Sequence, residues 1–165
     1  MRGKVVLGLV GALLLAGCGG DENEVADTSE GSTTAARGDP IVIRTEVVIA
    51  AEEGAEVIAT GEVLDGSMLG DSTFCVGGTI RDAHGSTDPE VFVIARTIAC
   101  PDGRLRVELT PDVDGTEGET QTGSWRIVGA TDAFTGLRGS GKMEVVYGPD
   151  EASPARETLT GTVTR

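Results

Sequence analysis

Aromatic and basic residues are scarce in this 165-residue chain, and both shortages limit what it can do. Aromatic side chains make up 3% of the sequence, so a hydrophobic core has to consist mainly of Val, Ile, Leu and Ala. Lysine and arginine number 13 against 27 acidic residues, which gives a formal net charge of −14. Nucleic acids and anionic membrane surfaces are bound through basic patches. The charge therefore argues against nucleic-acid binding. It favours a role in solubility, with cation binding as the alternative.

The sequence also contains none of the motifs of common catalytic and cofactor sites. It has a single histidine, His84, and no Gly-x-Ser-x-Gly nucleophile motif. Phosphate-binding loops and dinucleotide-binding glycine patterns are absent as well. We expect His84 to be an exposed loop residue, with a general base as the alternative. The sequence therefore predicts no catalytic residue, no cofactor and no metal centre, and it leaves enzymatic activity open.

One acidic segment, residues 112–119, carries four carboxylates and deserves separate consideration as a cation site. Its spacing departs from the calcium-loop pattern D-x-[DN]-x-[DN]-G, and the late glutamate of that pattern is missing. We therefore expect a solvated hairpin loop. A cation-binding module is the alternative.

Only one apolar run is long enough to suggest a targeting signal, at residues 5–16. It is too short to span a membrane as a helix but has the length of a signal-peptide core, and two basic residues precede it. It ends in Leu15-Ala16-Gly17-Cys18, which resembles the lipobox of bacterial lipoproteins. The resemblance implies cleavage of residues 1–17 and a lipid such as palmitate on Cys18. The protein would then be anchored on the extracytoplasmic face of the cell membrane. A soluble secreted protein is the alternative.

The segment after Cys18 has the composition of a flexible linker. Val25 is the only apolar residue other than alanine in residues 19–39. Such a segment cannot bury enough apolar surface to offset the entropy lost on ordering. We therefore interpret residues 18–39 as a lipidated tether with a reach of about 25 Å, and residues 40–165 as the folded domain. The Ser/Thr-rich part of the tether is also a candidate for O-linked sugar.

From residue 41 onward, apolar and polar residues alternate, as they do in half-buried β-strands. The alternating runs and the turn residues between them predict eight strands. These cover residues 41–50, 55–64, 72–82, 90–99, 104–111, 121–128, 138–147 and 156–164. Asp102-Gly103 lies between two such runs and predicts a hairpin with a type I′ turn. An all-β barrel or sandwich follows, and a barrel of eight strands has room for packed side chains or one small ligand.

Cys75 and Cys100 remain once Cys18 is assigned to the lipid. An exported domain folds in an oxidising compartment, so this even pair predicts a disulfide bond. The chain-entropy model gives such a bond about 3.5 kcal/mol of stabilisation. Two free thiols are the alternative, and together with one histidine they do not make a zinc-ligand set.

The most distinctive segment of the domain is residues 124–141. It reads as a strand, a one-turn corner that Gly136 ends with a positive φ, and a second strand. Gly139 and Gly141 in that strand permit close approach of backbones. The segment resembles a passage of the allene oxide cyclase/dirigent-like barrel family, with Ala-Thr-Asp at residues 130–132 where Gly-Thr-Gly is usual. The resemblance implies a small antiparallel barrel, and together with the eight predicted strands it predicts an all-β, eight-stranded antiparallel barrel. No catalytic residue of that family can be matched to a position here.

These observations predict a lipid-anchored, non-catalytic barrel that binds a small apolar ligand or an envelope partner, or that serves as an envelope component. A ligand in the lumen would contact the aromatic side chains of Phe74, Phe92 or Trp125. The alternative implied by the family resemblance is a cofactor-free isomerase or cyclase. Such an enzyme needs a buried carboxylate or other polar group facing its substrate. The sequence predicts no oligomeric state.

Overall fold

The computed structural model describes residues 38–49, 57–86, 92–117, 120–150 and 153–165. All of them belong to one unit of the chain, Thr34–Arg165. The predicted signal peptide, the lipidation site Cys18 and the tether as far as residue 37 lie outside the described residues. Within the described residues, no helix has the length and apolar character needed to cross a membrane.

Strands dominate the described part of the chain, as the alternation predicts. They are β1 (Asp39–Ile49), β2 (Val57–Val63), β3 (Met68–Leu69), β4 (Ser72–Thr73), β5 (Thr79–His84), β6 (Ile94–Cys100), β7 (Gly103–Glu117), β8 (Thr120–Ala130), β9 (Arg138–Val146) and β10 (Ala155–Thr164). A single turn of 3-10 helix, Asp132–Phe134, connects β8 to β9.

Eight of these strands close into an antiparallel barrel. Neighbours pair in the order β1-β2-β5-β6-β7-β8-β9-β10, and β10 pairs again with β1. The closing ladder runs from Asp39 opposite Val163 to Val47 opposite Ala155. The predicted fold class, an all-β eight-stranded antiparallel barrel, is confirmed. The strands alternate between an inner buried face and an outer exposed face because successive side chains point to opposite sides.

The third predicted strand, residues 72–82, is wrong in its first half. Cys75 and Gly77 have φ angles of 51° and 76°, which no extended strand adopts. Instead β3 and β4 form a short hairpin attached to β1, and the barrel strand β5 begins only at residue 79. Ser67 secures this hairpin because its hydroxyl accepts from the Arg44 N–H at 2.9 Å and donates to the Leu64 carbonyl at 2.8 Å.

Two turn predictions also need correction. The pairing of β6 with β7 is confirmed, but Pro101 and Asp102 form the turn, and only Gly103 has a positive φ, at 150°. The acidic segment is not a simple loop, because β7 continues to Glu117 and pairs with the start of β8 beyond an irregularity after Pro111.

One end of the barrel is sealed, and we call it the closed end. The rings of Phe74 and Phe134 pack there with their centroids 5.7 Å apart. The predicted disulfide between Cys75 and Cys100 is confirmed, with Cα atoms 5.3 Å apart, and it fastens the β4–β5 connection to the end of β6. Packed apolar side chains fill the lumen next to this end, among them Ile41, Ile43, Ile98, Leu105, Leu159 and Val163.

The glycines of β9 and β10 make room for the only tryptophan. Trp125, Gly141 and Gly161 stand side by side on β8, β9 and β10. A Cβ atom added at Gly161 would lie 2.7 Å from Cζ2 of the Trp125 indole. The indole Nε1–H donates to the Thr160 carbonyl at 3.0 Å. A Cβ atom added at Gly141 would lie 2.7 Å from the Cα of Gly161, which confirms the predicted close approach of backbones at Gly141. The positive φ of Gly136, at 82°, is confirmed as well.

Candidate ligand cavity in the barrel lumen

The end of the barrel opposite the closed end holds a cavity of about 520 Å³. It lies between the last residues of β1 and β9, the middle of β7 and the first residues of β6 and β10. Its walls are mainly apolar and include Val47, Ile58, Ala59, Ile94, Met143 and Val145. The lumen is thus filled in one half and open in the other.

Three polar side chains, Asp82, Arg96 and Glu157, form the floor of the cavity, and Thr45 contacts Glu157 beside them. We call these four residues the lumen cluster. Asp82 and Arg96 are cross-strand neighbours on β5 and β6, and Thr45 and Glu157 are cross-strand neighbours on β1 and β10. All four side chains are buried, with at most 3% of their surface exposed. Arg96 on β6 and Glu157 on β10 face each other across the lumen because three strands separate β6 from β10 on either side of the barrel.

Arg96 connects the two pairs. Its Nε donates to Oδ1 of Asp82 at 2.8 Å and its Nη2 donates to Oδ2 at 2.7 Å, which is the bidentate geometry of a strong arginine–carboxylate pair. Its Nη1 donates across the lumen to Oε2 of Glu157. The Thr45 hydroxyl donates to the same Oε2 at 3.1 Å. The cluster therefore holds four strands of the barrel together at mid-height.

The lumen cluster has more carboxylates than cations. Asp82 and Arg96 neutralise each other, so that an ionised Glu157 leaves one negative charge in the apolar interior. Both hydrogen bonds to Glu157 go to Oε2, and Oε1 receives none from the described residues. Among the residues that the structure describes, every fully buried side-chain nitrogen or oxygen has a hydrogen-bond partner. Because Glu157 lines the cavity, Oε1 is the polar atom that the floor offers to a ligand.

Apolar side chains surround the mouth of the cavity. Ile49, Phe92 and Tyr147 line it and are 52%, 58% and 38% exposed, and Val113 beside them is 99% exposed. Exposed apolar groups that form a contiguous patch commonly mark a binding surface. The mouth is thus able to receive an apolar molecule and to cover its outer part.

The three aromatic residues predicted to line the lumen occupy different places. Phe92 lies at the mouth and lines the cavity. Phe74 belongs to the closed end, and Trp125 covers Gly161 in the core, so neither side chain is among those that line the cavity.

The other sequence candidates lie near the mouth. His84 is exposed, as predicted, but it is the last residue of β5 rather than a loop residue, and it lines the cavity. Asp112, the first residue of the acidic segment, also lines the mouth. Among the residues that the structure describes, no group of three His, Cys, Asp or Glu side chains is placed to hold a metal ion.

The lumen cluster was not predicted, although the alternation of apolar and polar residues contained a signal for it. Thr45 stands between Ile43 and Val47 at an inward position of β1. Arg96 occupies the inward position between Ile94 and Ile98 of β6 in the same way. A polar residue at an inward position of a barrel strand has to find a polar partner inside, because a buried polar group without a hydrogen bond is costly.

Comparison of the chain with protein-family models, with curated proteins and with solved structures gives no match in any of the three. The resemblances to bacterial lipoproteins and to allene oxide cyclase/dirigent-like barrels therefore stay predictions. The cavity has the chemical features of a binding site for a small, largely apolar molecule. Its walls hold an apolar group, and its floor offers one carboxylate oxygen that is already fixed in position.

Proposed function

We propose that the protein is a lipid-anchored ligand-binding barrel on the extracytoplasmic face of the cell membrane, and that it holds one small, largely apolar molecule in the open half of its lumen. The observation that carries this proposal is the cavity of about 520 Å³. Ligand pockets for small molecules typically measure about 300–1,000 Å³ and combine apolar walls with a few fixed polar groups. The lumen matches this description in its volume, its walls and its floor.

The direction of the chain is compatible with an anchor at Cys18. β1 begins at Asp39, and Ile41 near its start packs in the filled half of the lumen, towards the closed end. The end of the same strand, at Val47 and Ile49, lines the cavity. A segment that precedes β1 therefore joins the barrel at the end remote from the mouth.

Filling the cavity should abolish ligand binding. Ile94→Trp places a large ring into open volume, since Ile94 lines the cavity and is only half-buried. We expect the affinity for an environment-sensitive apolar dye to fall at least about tenfold, equivalent to about 1.4 kcal/mol of binding free energy. Fluorescence titration of the purified barrel measures the change.

The matched control for this experiment is Val128→Trp. Val128 is 46% exposed on β8 and does not line the cavity, so the same added ring should leave dye affinity within about twofold. Unchanged dye affinity in Ile94→Trp, with circular dichroism showing a folded barrel, would mean that the dye binds elsewhere and that the lumen is not the binding site.

The anchor is tested by Cys18→Ala expressed as the full chain in a bacterium that processes lipoproteins. Without the acceptor thiol the chain cannot be lipidated, and we expect most of it to move from the membrane fraction to the soluble fraction. A Cys75→Ala/Cys100→Ala variant keeps Cys18 and should stay with the membranes. Retention of Cys18→Ala in the membrane fraction would show that another part of the chain provides the attachment.

A cofactor-free isomerase or cyclase is the second candidate function, and Glu157 is the observation that favours it. Such chemistry requires a buried carboxylate that faces the bound molecule, and Oε1 of Glu157 meets this requirement. Arg96 and Thr45 hold the carboxylate in one orientation, as a general base needs. Recovery of the natural ligand in chemically unchanged form after long incubation with the wild-type barrel would exclude this candidate.

A further inference from the structure

We infer that the ligand is a cationic amphiphile, with an ammonium-type head group bound by Oε1 of Glu157 and an apolar body against the walls of the cavity. This inference rests on the proposed binding function and specifies the chemical class of its ligand. It is carried by the charge balance of the lumen cluster, by the free oxygen of Glu157 and by the composition of the cavity.

Most polar atoms of the lumen cluster already take part in a hydrogen bond and are not available to a ligand. Both carboxylate oxygens of Asp82 accept from Arg96, in a bidentate pair that is about 97–98% buried. Arg96 uses its third donor nitrogen on Glu157. Asp82 and Arg96 thus satisfy each other's charge. Glu157 is the member of the lumen cluster that keeps an oxygen without a donor.

An ionised Glu157 gives the lumen cluster one negative charge more than its single arginine can balance. An ionised carboxylate in an apolar interior is costly unless a cation balances it, and the one buried cation of the lumen cluster, Arg96, is shared between Asp82 and Glu157. Among the described residues that line the cavity, the remaining ionisable side chains are His84, Asp112 and Tyr147, and none of them is buried. Arg96 is therefore the only buried cation among the described residues that line the cavity, and a ligand cation at Oε1 would supply the missing positive charge.

Anionic and neutral head groups fit the floor of the cavity less well than a cationic one. A carboxylate or phosphate at the floor would face Glu157 and Asp82 with only Arg96 between them, and like charges at close range repel. A neutral hydroxyl could donate a hydrogen bond to Oε1 but would leave the charge of the cluster unbalanced. The formal net charge of −14 over the whole chain also attracts cations and repels anions at a distance. The expected order of affinity is amine, then alcohol, then carboxylate.

The experiment uses three probes with the same ten-carbon chain: decylamine, decan-1-ol and decanoate. Each displaces the apolar dye from the wild-type barrel, from Glu157→Gln and from Glu108→Gln. Glu157→Gln keeps the shape of the side chain and removes its charge. Its amide oxygen can still accept from Arg96 and Thr45, while an NH2 donor replaces the acceptor Oε1. Glu108→Gln is the matched control, because Glu108 pairs with Arg126 on the outer surface.

We expect decylamine to bind the wild-type barrel at least about tenfold more tightly than decan-1-ol, with decanoate weakest. In Glu157→Gln the affinity for the amine should fall to that for the alcohol, while the affinity for the alcohol changes less than about twofold. Glu108→Gln should behave as the wild type. The cavity-filling variant Ile94→Trp should lose amine binding, which separates binding in the lumen from binding to the acidic surface.

The outcomes distinguish this inference from the proposed function. Equal affinities for the three probes, or a preference for the alcohol or the carboxylate, would overturn the cationic ligand and leave the binding barrel in place. No binding of any probe or of the dye would overturn both. If circular dichroism shows that Glu157→Gln does not fold, the order of affinities in the wild-type barrel decides the question by itself.

Discussion

Arg96→Met is expected to lower the free energy of unfolding by about 3–5 kcal/mol. Arg96 is the only positive charge in the lumen cluster, and its three donor nitrogens bind both carboxylates. Methionine fills a similar volume but leaves Asp82 and Glu157 as buried carboxylates without a cation. Urea denaturation followed by circular dichroism measures the loss, and a marginally stable domain would show it as partial unfolding at room temperature.

Replacing the whole cluster should cost far less than removing its arginine. The variant Thr45→Val, Asp82→Leu, Arg96→Met and Glu157→Leu substitutes apolar side chains of similar size at all four buried positions. Buried ion pairs replaced in this way are often neutral in their effect or even stabilising by about 1–4 kcal/mol, because the desolvation penalty disappears together with the attraction. We expect this variant to be more stable than Arg96→Met.

The comparison between these two variants tests why the cluster exists. If the fourfold apolar variant is at least as stable as the wild type but no longer prefers decylamine, the cluster serves binding rather than stability. If Arg96→Met costs less than about 1 kcal/mol, the cluster is not an interdependent unit, and the charge balance proposed for Glu157 has no structural basis. A buried ion pair is by itself weak support for a stabilising role.

Trp125→Ala is expected to destabilise the barrel by about 3–5 kcal/mol, the usual range for a buried large aromatic side chain. The indole is 2% exposed and lies where Gly141 and Gly161 leave the inner wall without side chains. Its loss would create a large void, and it would also remove the hydrogen bond to the Thr160 carbonyl. The effect should appear in urea denaturation as a lower midpoint.

Trp125→Phe is the graded control for this prediction. It keeps an aromatic ring over Gly161 but loses the Nε1–H donor and part of the volume, so we expect a smaller loss than with alanine. Because Trp125 is the only tryptophan, circular dichroism rather than intrinsic fluorescence has to follow unfolding in both variants. Equal stability of the alanine variant and the wild type would show that the ring is not a core element.

Arg96→Met and Trp125→Phe act on different parts of the lumen, and we expect them to differ in ligand binding as well as in stability. Trp125 supports the wall of the barrel and does not line the cavity, so that a folded Trp125→Phe barrel should bind the dye normally. Arg96 holds Glu157 in place at the cavity floor. Trp125 thus serves the stability of the barrel, whereas Arg96 also serves the open half of the lumen, where the ligand would bind.

Much of the architecture was predictable because local pattern determines strand formation. Alternation along β1, β6 and β7 shows which side chains point inward, and the turn signal near Gly103 indicates that β6 pairs with β7. The disulfide was predictable from the two cysteines that remain once Cys18 is assigned to the lipid. The β3–β4 hairpin was not, because it depends on left-handed conformations at Cys75 and Gly77, and a cysteine rarely adopts one without tertiary support.

What the sequence determined by itself is the class of fold: period-two alternation commits the chain to strands with one apolar face, and such strands have to close around a core. Only the tertiary structure decided where the site lies. Arg96 and Glu157 are 61 residues apart in the chain, and Thr45 and Glu157 are 112 apart. They meet because β10 pairs with β1 in one particular register, and a shift of one residue would turn Glu157 outward. Register over such distances is set by closure of the whole barrel, which no local pattern contains.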